Sequence, residues 1–183
     1  MALRPPVSDR DHIQGSKDAL IELVEYGDYQ CPYCGQAYPI IKALQKKFNA
    51  ELKFVFRNFP LSSIHSHAKL AAIAAEAADR QGRFWQMHDL LFENQSNLHP
   101  SALLEYAKAI DIDLDLFEQD LGNRNIAVKV EADFESGVRS GVNGTPGFFI
   151  NGVKYNGEWQ EPFFSAYIKD RIDSLKPDRS VLL

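Results

Sequence analysis

The chain has 183 residues, of which 45% are hydrophobic and 25% charged, and a formal net charge of −5. Such a composition builds a globular domain with its own core, needing neither metal nor staples. The acidic balance and the lack of a basic run exclude a nucleic-acid surface, and no stretch reaches the ~18 apolar residues of a membrane span, so no membrane insertion is expected.

Residues 1–16 read as a polar N-terminal extension containing Pro5, Pro6 and Gly15. The segment lacks the apolar core of a signal peptide, so the sequence as it stands predicts a cytoplasmic protein. A periplasmic or other extracytoplasmic location is the expectation if a leader has been removed. Ala19 to Tyr26 is rich in Ile, Leu and Val and reads as a strand. Cys34 to Phe48 reads as a helix, because Ala37, Ile40, Ile41, Leu44 and Phe48 recur at three and four. Pro32 suits the first helical turn, and Pro39 should kink the helix. Leu52 to Arg57 is a second strand, closed by Pro60. Strand, helix and strand in this order form a βαβ unit with parallel strands.

A helical block follows. Helices are predicted over Ser66 to Gln81, Phe84 to Glu93, Pro100 to Ala109, Leu114 to Leu121 and Asn125 to Arg139. In the last, Ile126, Val130, Phe134 and Val138 make an apolar stripe. Phe148 to Ile150 then reads as a short buried strand. Asn151-Gly152 is a hairpin turn, Val153 to Tyr155 returns, and a final helix starts at Glu161-Pro162. The predicted organisation is an extension (1–16), an α/β domain built from 17–62 plus 138–178, and an inserted helical subdomain (63–137).

The only two cysteines lie in Cys31-Pro32-Tyr33-Cys34. A disulfide across so short a loop stabilises the fold weakly, so its value lies in being made and broken. Cys31 follows a strand and opens a helix, where unpaired N–H groups and the helix dipole favour a thiolate. Cys34, one turn in, would be more buried. Cys31 is therefore the expected nucleophile and Cys34 the resolving thiol. Two other readings compete: packed thiols without chemistry, and a metal site completed by His65 and His67. Zinc sites need four ligands at recognisable spacing, and His-x-His after a distant C-x-x-C fits no common pattern. No metal and no cofactor are expected. Gly144-Thr145-Pro146-Gly147 is the second motif. A proline before a buried strand removes a ladder donor and leaves an edge on which a substrate peptide could pair with Thr145, and a cis bond would aim that edge at Cys31. Tyr29, Tyr33, Phe59 and Trp159 are candidates for an apolar rim.

These motifs resemble the thioredoxin superfamily. The helical block resembles its DsbA branch. Glu25 through Gly35, Arg57-Asn58-Phe59-Pro60-Leu61, Phe84-Trp85-Gln86-Met87-His88 and Gly144 through Gly152 resemble DsbA-like thioredoxin domains of bacteria, some alone and some fused behind NhaA-type sodium/proton antiporters. The resemblance implies an α/β thioredoxin-like fold with a helical insertion. It also implies a thiol–disulfide oxidoreductase with a Cys31–Cys34 disulfide, a cis-proline at Pro146, a buried acid at Glu25 and redox tuning by Pro32 and Tyr33. Partners would be protein or small-molecule thiols and disulfides, with a redox recycling partner. Alternatives are a disulfide isomerase and a redox-sensing regulatory or binding module for a membrane transporter. DsbA carries histidine where this chain has Tyr33, so less thiolate stabilisation and a milder couple are expected.

Overall fold

The computed structural model describes residues 1–176. Five strands form one sheet in the order β1-β3-β2-β4-β5. They are β1 (His12–Gln14), β2 (Ile21–Gly27), β3 (Leu52–Asn58), β4 (Gly147–Ile150) and β5 (Val153–Lys154). β2 and β3 are parallel, with Ile21 beside Leu52 and Gly27 beside Asn58. β4 runs antiparallel to β2, placing Phe148 beside Glu25. The first helix, α1 (Pro32–Phe48), crosses between β2 and β3, and Phe48 leads through a short 3-10 turn (Asn49–Glu51).

The helical block comprises α2 (Ala68–Asp79), α3 (Phe84–Glu93), α4 (Pro100–Ala109), α5 (Leu114–Leu121) and α6 (Arg124–Arg139), and α7 (Phe163–Leu175) closes the domain. Seven alanines of α2 are buried. Small side chains let this helix lie close to α3, α5 and α6. The Asp113 side chain caps α5 by accepting from the Leu116 N–H at 3.0 Å, and the Asn123 side chain accepts from the Asn125 N–H at the start of α6.

Strand parity sorts the core into two layers. Ile21 and Leu23, with Phe54, Phe56 and Phe148, face the larger layer under α1, α7 and the helical block. Val24, Tyr26, Val55 and Phe149 face the smaller one, closed by Leu3, Phe59 and Val142. Both faces are covered, so β2 and β3 are buried along nearly their whole length, polar residues included. The same parity turns Glu25 towards α1, between Phe56 and Phe148.

Three expectations are corrected. Residues 1–16, expected as a polar N-terminal extension, are joined to the sheet. His12–Gln14 pairs antiparallel with β3, the Leu3 N–H donates to the Gly152 carbonyl at 2.8 Å, and Arg57 grips Asp11 at 2.7 Å. A strand of three residues is too short to have a readable period. The boundary drawn between 137 and 138 falls inside α6, which is continuous to Arg139. Residues 177 and 178, included in the predicted α/β domain, lie outside the described residues. Val138 is 55% exposed, whereas Asp133, Ser136 and Gly137 of α6 are buried. That helix turns its C-terminal half towards Tyr26 and Phe59. A Cβ on Gly137 would stand 2.6 Å from the Phe59 ring, so only glycine allows the approach.

Candidate active site

Cys31 caps α1 at its N-terminus, with Pro32 in the first turn. Its carbonyl accepts the Gly35 N–H at 3.1 Å, and its own N–H donates to the Asp28 carbonyl at 3.1 Å. Both cysteines are free thiols, Cys31 4% exposed and Cys34 fully buried. A hydrogen bond from Cys34 holds the Cys31 pKa down to about 5. The backbone N–H groups of Cys34 and Tyr33 help, against the opposing effect of burial. Burial pushes the Cys34 thiol well up, and its bond to Cys31 and the charge of Glu25 add to this. The Asp28 N–H donates to Cys34 Sγ at 3.5 Å.

Glu25 is buried, and its Oε1 has no hydrogen-bond partner. Desolvation, then the charge of Cys31, raises its pKa to about 8. Glu22, earlier on the same strand, bonds Lys53 at 3.1 Å and is half-buried. The Thr145–Pro146 bond is cis, and Cys31 Sγ, while protonated, donates to the Thr145 carbonyl at 3.4 Å. The predicted residues Cys31, Cys34, Glu25, Thr145 and Pro146 thus converge from β2, α1 and the loop before β4.

A family model described as thioredoxin matches residues 8–170. The chain belongs to the thioredoxin family. Among solved structures, this thioredoxin-family chain is similar to oxidised BdbD from Bacillus subtilis. The TM-score is 0.82 at 26% identity, over 92% of this chain and 96% of that one. It also shares its fold with the thiol-disulfide exchange protein α-DsbA2 of Wolbachia pipientis, at a TM-score of 0.77 and 19% identity, over 92% and 89% of the two chains. These neighbours place the fold in the DsbA-like branch. The Na+/H+ antiporter NhaA 1 of Salinispora arenicola is 42% identical over 96% of this chain, and the NhaA antiporter of Herminiimonas arsenicoxydans 37% identical over 92%. The match takes in 28% and 27% of those proteins, so the chain spans a little over a quarter of the curated relatives it matches. No helix among the described residues is long and apolar enough to cross a membrane.

The family resemblance did not reveal how the dithiol loop is held. Asp28 is buried. Its carboxylate accepts from the Gln30 N–H at 2.7 Å and the Leu61 N–H at 2.8 Å, and lies 2.7 Å from His65 Nδ1. Gln95, just past α3, donates through Nε2 to the carbonyls of Tyr29 (2.8 Å) and Cys31 (3.0 Å). Gly35 leaves room for it, since a Cβ there would collide with Gln95 Oε1. Asp28 bonding two residues ahead is a turn signal the sequence could have offered. Gln95 is 64 positions from Cys31, and nothing local announces it.

His65 is thus bound to Asp28, and the His67 ring lies edge-on to His99 at 4.5 Å. Neither joins the cysteines in a ligand cluster among the described residues. Of the predicted rim, Tyr33 is 62% exposed and Trp159 half-buried, but Tyr29 and Phe59 are core residues. Tyr29 packs on Phe56 and Phe92, and its hydroxyl lies 3.1 Å from His88 Nδ1. Apolar content alone does not separate a rim from a core.

The low Cys31 pKa sets a pH signature. Alkylation by iodoacetamide should titrate with a midpoint near pH 5, against 9.0 for an ordinary thiol, with Cys34 unmodified. A midpoint near 9 would contradict the thiolate. The folded pKa is the lower one. The thiolate therefore stabilises the reduced fold fully above pH 9, and this contribution is lost as pH falls through about 5.

Proposed function

We propose that the chain is a thiol–disulfide oxidoreductase working through a Cys31–Cys34 disulfide and dithiol on protein or small-molecule partners. The observation that carries this reading is the asymmetry of the pair: one thiol with a pKa near 5 at a helix N-terminus, the other buried with its pKa raised. The Cys31 thiolate attacks a substrate disulfide, forms a mixed disulfide and releases one substrate thiolate, which takes a proton. Cys34 then loses its proton and attacks the Cys31 sulfur. That step closes the Cys31–Cys34 bond and frees the second substrate thiol. The substrate disulfide gains two electrons and the protein dithiol loses them; the reverse sequence oxidises a substrate dithiol.

Glu25, protonated below about pH 8, is the group placed to exchange a proton with Cys34. Thr145 and Pro146 form the edge on which an extended substrate lies. Pro32 and Tyr33 tune the couple, since neither adds a positive charge beside Cys31. Its pKa lies between the values of about 3.5 for DsbA and about 7 for thioredoxin. The reduction potential should likewise fall between about −120 and about −270 mV. Equilibration with a glutathione series, followed by alkylation and mass spectrometry, measures it. A value above the DsbA end would sink the argument from Tyr33. Catalysed reduction of insulin by the isolated chain tests the activity itself; no acceleration over dithiothreitol alone would refute it.

One observation favours a second reading: the relatives at 42% identity are antiporters, and the chain matches only part of each. As a redox-responsive module for a transporter, the chain would turn over slowly and change its contact with the membrane protein on oxidation. Rapid insulin reduction counts against this. Recovery of scrambled ribonuclease distinguishes the third alternative, an isomerase.

A further inference from the structure

Beside the dithiol lies an open groove of about 480 Å3, walled by Tyr33, Thr145, Pro146, Glu158 and Trp159. Thr145 Oγ1 is buried there without a partner. Trp159 is braced on Phe148, with ring centroids 6.3 Å apart. The charge of the surround is one-sided. Residues 29–41, 143–149 and 155–162 contain no lysine or arginine, but they hold the carboxylates of Glu158 and Glu161. Glu161 is engaged by the Ser165 hydroxyl at 2.6 Å, whereas Glu158 is exposed and faces the groove. Four of the cations that flank these segments are engaged elsewhere: Lys42 pairs with Asp89 at 2.8 Å, Arg139 with Glu135 at 3.2 Å and Lys169 with Asp173 at 2.6 Å, and Lys154 Nζ donates to the Gly141 carbonyl.

We propose that this groove selects extended peptide segments bearing lysine or arginine next to the reacting cysteine, and disfavours anionic thiols such as glutathione. The proposal rests on the oxidoreductase reading and adds a substrate class to it. The peptide backbone pairs with the free edge at Thr145, as an added strand does. The neighbouring basic side chain then lies along Tyr33 and Trp159, whose ring faces attract a cation, and ends at Glu158. Glutathione carries two carboxylates against one ammonium, and these three segments offer no cation to receive them. Glu158 and Trp159 are specificity-determining residues in this account and take no part in the sulfur chemistry.

Rates of exchange decide the matter. The probes are three disulfide peptides, identical except for Arg, Ala or Glu beside the cysteine, and oxidised glutathione. Each is reacted with the wild-type chain, Glu158→Gln and Glu158→Lys at low and high salt. The wild type should favour the Arg peptide over the Glu peptide by about tenfold in kcat/KM at low salt, and less at high salt. The ratio should narrow to about two- to threefold in Glu158→Gln and invert in Glu158→Lys, which should also react faster with glutathione. A wild-type ratio near one, or a ratio that Glu158→Lys leaves unchanged, would overturn the proposal while the oxidoreductase reading stands. Failure of the wild type to exchange with any probe would overturn that reading and this proposal together.

Discussion

Replacing Cys31 with serine is expected to lower disulfide exchange by at least about three orders of magnitude, the scale on which losing a nucleophile acts. A serine hydroxyl is not ionised near neutral pH and cannot form the mixed disulfide. Cys34 cannot stand in for it: it is fully buried, and its pKa is raised by that burial. The partner variant should fail differently. Cys34→Ser keeps the attacking thiol but loses the group that releases the substrate, so a covalent adduct should accumulate and be visible by mass. Cys34→Ala should trap the same adduct and, lacking a donor, also remove the hydrogen bond that lowers the Cys31 pKa, so its first attack should be slower at acid pH. Insulin turbidity and intact-mass measurements read both effects. Full activity in Cys31→Ser, or no adduct in Cys34→Ser, would remove the basis of the assigned roles.

The second large effect is on stability and lies away from the dithiol. Glu76 is the one charged residue on the buried face of α2. Its carboxylate lies 2.9 and 3.0 Å from His12 Nε2, accepts from Asn58 Nδ2 at 2.7 Å and is 3.7 Å from Lys129 Nζ. His12 stacks on Phe84 at 3.4 Å and also reaches Asp79 at 3.4 Å. Burial alone would lower the His12 pKa. Hydrogen bonds to Asp79 and Glu76, with the charge of Glu76, outweigh it and raise the value to about 9. Glu76→Gln removes the charge but not the volume: His12 then keeps only Asp79 at 3.4 Å, while Lys129 keeps Asp133 at 2.7 Å. A loss of roughly 1.5–3 kcal/mol is expected, the scale of a hydrogen bond to a charged group.

The pH dependence has a definite sign. The folded pKa of His12 is the higher one, so its stabilisation is fully present below 6.5 and is lost as pH rises through about 9. The shift corresponds to roughly 3 kcal/mol. Urea unfolding of the wild type across this window should show the decline, and Glu76→Gln should flatten it. Equal midpoints for the two proteins at pH values below the window would show that the cluster does not hold β1 in place.

Much of this molecule was legible before folding because the signals are local. The β2-α1-β3 unit follows from apolar spacing and from Pro32 at a helix start. Glu25 as a buried acid came from the family resemblance, and in the fold it shares the inward face of Ile21 and Leu23. The 144–147 loop declared itself by a proline in front of an apolar run. Other features rest on partners far away in sequence. His12–Gln14 is a strand because β3 offers it an edge and Arg57 fixes Asp11 beside it. The stripe read on α6 misplaced Val138 because the helix meets a polar patch there: Asp133 accepts from the Asn58 N–H at 3.2 Å, and the Tyr26 hydroxyl lies 2.8 Å from Ser136 Oγ. Apolar periodicity does not register a buried face that is polar.

The sequence by itself determined the dithiol, its position at the head of a helix and the proline loop. Each depends on spacing along a few residues and on the backbone geometry that spacing imposes. Only the tertiary structure decided how far apart the two thiols ionise, because pKa depends on burial and on hydrogen bonds that cross the fold. It also decided that Gln95 and Asp28 hold the loop, that Tyr29 and Phe59 are core residues and that Tyr33, Trp159 and Glu158 share one groove. These are contacts between segments tens of residues apart, and packing alone brings them together.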